Sequence, residues 1–300
     1  MTVIWGTNYA IVKHAFRSID PQAFNAIRMM IASTVFLAIL AMTRRLPSTG
    51  RAEGTIAGIF YTPSPVTRRD WFGLAGLGLV GHCLYQYWFV GGLARTSVAN
   101  AALIAASAPV LIALASAARG EERIGAGHWL GALLSLGGIY IVVGRGLSVG
   151  GSTIRGDLTV FAAVCCWGIY TIGSRSLMSR HSPVAVTGLS MAIGTALYVP
   201  AVIPHIRLVA WRAVSAGTWL AIVYSALFAL CVAYTIWYAA VREIGSARTS
   251  VYSNLVPLVA MATAVLFLAE PLDVRKIAGA TAVLVGVALT RVKTLNPNPE

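Results

Sequence analysis

Long apolar runs, separated by short polar interruptions, cover almost the whole chain of 300 residues. Most runs have roughly the 20 residues that carry an α-helix across a hydrocarbon core about 30 Å thick. The pattern therefore predicts an all-α integral membrane protein with ten transmembrane helices. Their approximate ranges are 3–17, 22–43, 71–94, 97–118, 127–145, 156–177, 184–204, 218–241, 247–268 and 273–292.

The composition indicates that lipid, rather than water, surrounds most of the chain. Hydrophobic residues make up 57% of it and charged residues 11%, whereas soluble proteins average about 25% charged residues. The formal net charge is +13, but the basic residues stand singly or in pairs between apolar runs. Such residues usually set membrane orientation. We therefore expect no nucleic-acid partner and a multi-pass location in the inner (plasma) membrane. The loops on the same side as the termini hold a modest excess of Lys and Arg, so we expect both termini to be cytoplasmic.

The two halves of the chain repeat the same landmarks in the same order, which predicts an internal duplication. The spacing between matches changes from 162 to 148 positions because the first half has the longer connection between its second and third helices. The matching pairs are Trp5 with Trp167, Gly6 with Gly168, Pro21 with Pro183, Trp71 with Trp219, Pro109 with Pro257, and Glu122 with Glu270. We assign residues 1–148 and 149–300 to two five-helix repeats of one membrane unit.

An odd number of helices in each repeat means that the second copy enters the membrane inverted. Inverted repeats place a substrate site near the bilayer midplane, where the halves meet, and rocking of the halves exposes that site to each side in turn. The duplication thus favours a carrier that works by alternating access. A duplicated scaffold without transport is the alternative.

Two kinds of landmark recur in both repeats: a Trp-Gly pair in the first helix, and a proline followed by an acidic residue at the end of the fourth. They are Trp5-Gly6, Trp167-Gly168, Pro109 with Glu122, and Pro257 with Glu270. In these motifs the chain resembles, over about residues 3–292, the EamA-type branch of the drug/metabolite transporter superfamily. The resemblance implies ten helices in two inverted repeats, and export or exchange of amino acids, their analogues or organic cations. A subgroup that exports aromatic amino acids and methyl viologen suits the aromatic content.

Four side chains of the third predicted helix share one face, because they stand at positions i, i+3, i+4 and i+7: His82, Tyr85, Gln86 and Phe89. Lipid cannot satisfy polar groups, so we expect this face to line an aromatic cavity that binds a small molecule. Hydrogen bonding between helices is the alternative for His82 and Gln86. His82 is also the candidate for a titrating group at depth, with a neutral, hydrogen-bonded histidine as the other interpretation.

Further substrate-binding candidates lie in the eighth and ninth predicted helices of the chain. Others lie in the first helix of each repeat, which lines the cavity in the family that the chain resembles. They are Trp5, Asn8, Tyr9, Trp167, Tyr170, Tyr234, Tyr238 and Asn254. Trp5 and Trp167 would equally suit interfacial anchors. Pro109 and Pro257 each remove a backbone hydrogen bond and favour a kink, so we assign them to a hinge or pathway, although membrane helices tolerate proline in general.

All ten acidic residues lie at predicted helix ends, in loops or at the tail, so we expect the cavity lining to be uncharged. Such a cavity suits neutral or zwitterionic, partly apolar solutes, and obligate proton coupling is not expected. The four cysteines lie in apolar runs without metal-ligand spacing, so we expect no metal, disulfide or cofactor. An exporter of organic cations is the alternative, followed by an intramembrane enzyme or a channel; we expect no enzyme, because catalytic groups do not cluster.

Small residues mark the predicted fifth and tenth helices: Gly127, Gly131, Gly279, Ala282 and Gly286. Small residues let membrane helices approach closely. We therefore assign these two helices to the scaffold or to a dimer contact, and expect a monomer or a weak homodimer.

Overall fold

The computed structural model describes residues 1–43, 56–60, 62, 65–96, 101, 104–120, 125–143, 151–259, 262–263 and 274–289. All regular structure in these residues is helical. Helical residues occur in each of the ten predicted ranges. The predicted helix-ending acids Glu122 and Glu270 lie outside the described residues.

We number the longer helices in chain order. The first half has α1 (Thr2–Ala15), α2 (Pro21–Thr43), α3 (Arg68–Gly78, Leu79–Leu84 and Tyr85–Arg95 in succession), α4 (Ala108–Ala118) and α5 (Ala126–Val143). The second half has α6 (Gly151–Met178), α7 (Pro183–Ala201), α8 (Ala216–Tyr224, Ser225–Val232 and Ala233–Ile244), α9 (Ser246–Ser250, then the 3₁₀ turn Val251–Leu255) and α10 (Val274–Leu289). Short helices occur at Ile56–Phe60, Ile203–Arg207 and Trp211–Ala213.

The outer surface of the helices is apolar. Phe72 is 75% exposed and Leu220 is 70% exposed, and exposure of many such side chains to water would lead to aggregation. By length and composition, four described helices are able to cross a membrane: Pro21–Thr43, Ile154–Met178, Pro183–Ala201 and Ala216–Ile244. Ala108–Ala118 and Ile277–Leu289 are apolar but shorter. The fold is therefore of the membrane type, and ten crossings remain a prediction.

α3 and α8 both contain a π-helical segment, at Leu79–Leu84 and Ser225–Val232. Gln86 and Tyr234 are 148 positions apart in the sequence. When this spacing is added to the residue numbers of the first segment, they fall within the second segment. π turns within α-helices are rare and frequently occur at functional sites. The two helices thus depart from regular α-helical spacing at matching places.

α5 and α10 pack against each other through their small residues. A methyl group on Gly138 would lie 2.6 Å from the carbonyl oxygen of Gly279, and one on Gly286 would lie 2.5 Å from that of Gly131. The lower-numbered residue of one helix faces the higher-numbered residue of the other, so the two helices run antiparallel. The small residues therefore make a close contact within the chain, which is the scaffold role predicted for them.

Several residues contact the residue that matches them in the other half of the chain. The Ser33 and Thr195 hydroxyls are 2.8 Å apart and separated by 162 positions. Ser135 donates a hydrogen bond of 3.3 Å to the carbonyl of Val283, 148 positions later. A residue that lies close to a two-fold axis contacts its equivalent in the other half. These two contacts are therefore of the kind that a two-fold relation produces.

A buried carboxylate ties the start of α3 to the connection between α6 and α7. Asp70 accepts hydrogen bonds from the Thr67 backbone N–H and hydroxyl, at 2.9 and 2.7 Å, and forms a capping box with Thr67. Its oxygens also contact the Arg180 guanidinium and, at 3.1 Å, Nε2 of His181. These donors, with Thr67 foremost, hold the pKa of the Asp70 carboxyl well below its usual value.

Candidate functional site

A cavity lies among helices of both halves of the chain. Its empty volume, with the space at the opening included, is about 870 Å³. α1, α2, α3, α6, α8 and the segments around α4 and α9 contribute side chains to the wall. The lining residues are Trp5, Asn8, Tyr9, Arg28, Tyr85, Gln86, Phe89, Ala105, Ala106, Ala108, Val164, Trp167, Ala229, Leu230, Tyr234, Ser253, Val256 and Pro257.

Aromatic rings make up much of the wall, and Trp167 lies at their centre. Six ring centroids lie between 5.2 and 6.3 Å from its own, those of Trp5, Tyr85, Tyr170, Tyr234, Trp237 and Tyr238. Tilted and edge-on arrangements at these distances are favourable. Trp5, Tyr85 and Tyr234 line the cavity with Trp167, whereas the other three rings of this cluster pack behind them.

Hydrogen bonds attach α1 to α8 beside the cavity. Nε1 of Trp5 donates to the carbonyl of Ala229, at 3.0 Å, within the π-helical segment of α8. The Thr7 and Tyr224 hydroxyls are 2.9 Å apart. Trp5 is thereby held in the cavity wall by a helix of the other half of the chain.

Arg28 also lies in the wall, although it is not among the predicted site residues. It is 2% exposed and lies seven residues into α2, about 10 Å along the helix axis. Its guanidinium donates to Asn25 Oδ1, Ser225 Oγ and Gln86 Oε1, at 2.6, 2.9 and 2.7 Å. The expectation of an uncharged lining is therefore wrong, because the described part of the wall includes an arginine. A lone basic residue inside an apolar run was the signal for it.

Most of the predicted candidates lie in the wall: Trp5, Asn8, Tyr9, Tyr85, Gln86, Phe89, Trp167, Tyr234 and Pro257. His82, Tyr170, Tyr238, Asn254 and Pro109 are not among the lining residues. These five are buried close to it. The Tyr170 hydroxyl is 2.9 Å from Ser190 Oγ, and the side-chain atoms of Asn254 have no hydrogen-bond partner in the described part of the chain.

His82 lies behind the wall because α3 is π-helical at that point. The extra residue in a π turn rotates His82 away from the face that Tyr85 and Phe89 share. Its ring packs against Tyr170 and Tyr234, with centroids 4.7 and 5.9 Å away. Neither ring nitrogen has a hydrogen-bond partner among the described residues, so packing against these two rings holds His82 in place, and a titrating role for it stays a prediction.

The two prolines stand near the start of helical segments rather than in the middle of continuous helices. Pro109 is the second residue of α4, after a turn at 106–107. Pro257 is the second residue of the helical stretch 256–259, after the 3₁₀ turn of α9. A proline N–H is not needed in the first turn of a helix. The predicted kinks are therefore breaks in the helices, and they occur at matching places.

The sequence profile of the EamA-like transporter family matches residues 1–144 and 154–292. The chain belongs to this family. As an EamA-like transporter it is a multi-pass membrane protein of the drug/metabolite superfamily, with a small-molecule substrate and a lipid bilayer as surroundings.

Similar proteins support this membership. The "Uncharacterized transporter YyaM" of Bacillus subtilis (strain 168) is 26% identical over 95% of this chain and 89% of its own length. The "Aromatic amino acid exporter YddG" of Ancylobacter novellus is 26% identical over 63% of this chain and 60% of its own length. A crystal structure with 22% identity, a TM-score of 0.75 and coverage of 97% of this chain and 93% of its own has the same fold.

Proposed function

We propose that this EamA-like transporter is a carrier that exports or exchanges small neutral or zwitterionic, partly apolar metabolites, such as amino acids and their analogues, by alternating access. The observation that carries the proposal is the aromatic cavity, because α1, α2 and α3 of one half and α6 and α8 of the other all contribute to its wall. A cavity between two halves can open to either side when one half rocks against the other. No catalytic step is proposed.

An inverted two-fold relation between residues 1–148 and 149–300 is part of the proposal. It is supported by the contacts of Ser33 with Thr195 and of Ser135 with Val283, at spacings of 162 and 148. The antiparallel packing of α5 on α10 agrees with it, and so does the division of the family match into 1–144 and 154–292. We propose ten crossings of the plasma membrane on this basis, with both termini cytoplasmic, and a monomer or weak homodimer.

An exporter of organic cations is the second candidate. The faces of Trp5, Trp167 and Tyr234 attract ammonium groups through their ring quadrupoles. Arg28 opposes this candidate because its positive charge repels a cation in the same cavity. We therefore rank zwitterions with an apolar side chain above cations.

Counterflow in proteoliposomes tests the proposal. Vesicles with the full chain are loaded with one unlabelled amino acid or amine at a time, and uptake of the labelled compound is followed from outside. A carrier gives a transient accumulation above equilibrium that saturates with concentration, and we expect this for aromatic or large apolar amino acids. Uptake that stays linear, or that equals uptake by empty vesicles for every compound, would contradict a carrier for these solutes.

A further inference from the structure

Arg28 holds a positive charge in the cavity wall that no described acidic group neutralises. The described residues show no ion pair to it, and its hydrogen-bond acceptors are the neutral side chains of Asn25, Gln86 and Ser225. None of the described residues that line the cavity is acidic. Buried charges are costly unless they are paired, and an ionisable residue within a membrane segment usually marks a ligand or ion pathway. A negatively charged ligand in the cavity would therefore supply the partner that the guanidinium lacks.

The guanidinium is held in place and still has donors to offer. A guanidinium has five N–H groups, and the three acceptors use one on Nε, one on Nη1 and one on Nη2. One N–H remains on each terminal nitrogen. Donors on the two terminal nitrogens of one guanidinium can bind the two oxygens of a carboxylate. Because the acceptors come from α2, α3 and α8, the fork is fixed before a ligand arrives.

The charge of the cavity favours a carboxylate over a phosphate. One guanidinium neutralises one negative charge, whereas a phosphate monoester has a charge of about −1.5 to −2 near neutral pH. The excess negative charge would be left against apolar and aromatic side chains. The body of the ligand would lie against Trp5, Trp167 and Tyr234, so an apolar or aromatic group suits the remaining space.

An amino group on the ligand has a weaker counterpart. The described lining has no carboxylate. The groups that would meet an ammonium are aromatic faces and Oδ1 of Asn8, which is buried without a hydrogen-bond partner in the described part of the chain. These groups accommodate an ammonium, but they do not neutralise it.

We propose that Arg28 binds the carboxylate of the substrate, that this carboxylate is required for binding, and that an α-amino group is dispensable. The substrate class is thus a monocarboxylate with an apolar or aromatic body, with or without the amino group. The proposal rests on the proposed function in one respect, that the cavity is the substrate site. The other explanation of Arg28 is that it only joins α2, α3 and α8.

Binding by the full chain in lipid nanodiscs tests the proposal, with the fluorescence of the tryptophans in the wall as the signal. Four probes share one ring: 3-phenylpropionate, L-phenylalanine, phenethylamine and phenyl phosphate. We expect the affinities of the two carboxylates to lie within about tenfold of each other. The affinity of the amine should be about 30-fold or more lower, because it leaves the buried charge of Arg28 unpaired. Equal affinity of 3-phenylpropionate and phenethylamine, no binding of either carboxylate, or tightest binding of phenyl phosphate would overturn the proposal.

Variants separate binding from a purely structural role. Arg28→Gln should weaken both carboxylates about 30-fold or more while leaving phenethylamine unchanged or tighter. Arg28→Lys keeps the charge without the fork, so it should fall between the wild type and Arg28→Gln. The exposed Arg207 provides the control, and Arg207→Gln should leave all four affinities unchanged. A structural role predicts equal losses for all probes, and if Arg28→Gln does not fold, the wild-type probe series decides alone.

Counterflow with the same probes keeps the two proposals apart. Carboxylate-specific binding that depends on Arg28, without counterflow, would contradict the carrier and leave the role of Arg28 intact. Saturable counterflow of phenethylamine that matches 3-phenylpropionate would leave a carrier in place and contradict the role of Arg28.

Discussion

The antiparallel contact of α5 with α10 predicts that two adjacent glycines respond in opposite ways to alanine. Gly138 faces α10, where a methyl group would lie 2.6 Å from the Gly279 carbonyl oxygen and 2.8 Å from the Val283 nitrogen. Ordinary carbon–oxygen contacts begin near about 3.3 Å, so the helices would have to separate by roughly 0.7 Å. Gly137 is exposed, and a methyl group added to it would have no atom of the described chain within 4 Å.

The difference between the two variants isolates the packing contribution. Both substitutions gain the same helix propensity, about 1 kcal/mol, which cancels in the comparison. Overpacking typically costs about 1–3 kcal/mol, so Gly138→Ala should be less stable than Gly137→Ala by that amount. The free energy of unfolding is measured by denaturant titration in mixed micelles, with circular dichroism as the signal. Equal stability of the two variants would refute the close contact of α5 with α10.

Three further predictions concern the cavity, the contact between the halves and the polar cluster. Trp167→Ala should abolish saturable counterflow and lower the free energy of unfolding by about 3–5 kcal/mol, whereas Trp219→Ala, 38% exposed, should leave both near wild type; equal effects would place the site elsewhere. The double-mutant cycle of Ser33→Ala and Thr195→Ala should give a coupling of about 0.5–1.5 kcal/mol, and zero coupling would contradict their hydrogen bond. Because folding lowers the pKa of Asp70, the stability advantage of wild type over Asp70→Asn should be full above the unfolded-state pKa of about 3.9 and shrink as the pH falls below it; an advantage that is the same at about pH 7 and about pH 3 would contradict this.

The features that depend on residue type and spacing could be predicted from the sequence. Apolar runs predicted where helices occur, because lipid requires a continuous apolar segment. The small residues Gly131 and Gly286 indicated a close helix contact, and they lie at the contact of α5 with α10. Most aromatic candidates line the cavity. A spacing of four residues places Trp5 with Tyr9 on one face of α1, and Tyr85 with Phe89 on one face of α3.

The features that depend on departures from regular geometry could not be predicted in the same way. His82 was placed on the face of Tyr85 and Phe89 by α-helical periodicity, and the π-helical segment of α3 moves it behind the wall. No simple residue pattern marks a π turn. The breaks before Pro109 and Pro257 likewise depend on tertiary packing, since proline alone is compatible with either a kink or a helix start.

Arg28 is hard to distinguish by charge alone, because most basic residues of a membrane protein set its orientation. Its position inside an apolar run was visible in the sequence, and a charge at that depth is by itself an indication of a functional site. The sequence did not reveal that Gln86 and Ser225, from helices far apart in the chain, would both accept hydrogen bonds from it. That arrangement exists only in the assembled cavity.

Two-sided accessibility of the cavity tests the proposed alternating access most directly. Ala105, a small residue of the wall, is changed to cysteine in a chain whose native cysteines are replaced by serine, and a membrane-impermeant maleimide is applied to right-side-out and to inverted vesicles. The outer face of α5 provides the control, where Leu133→Cys, 56% exposed, should resist the reagent from both sides because lipid covers it. Alternating access predicts that Ala105→Cys reacts from each side and that transported substrate slows the reaction. Reaction from one side alone, under every substrate condition, would contradict alternating access.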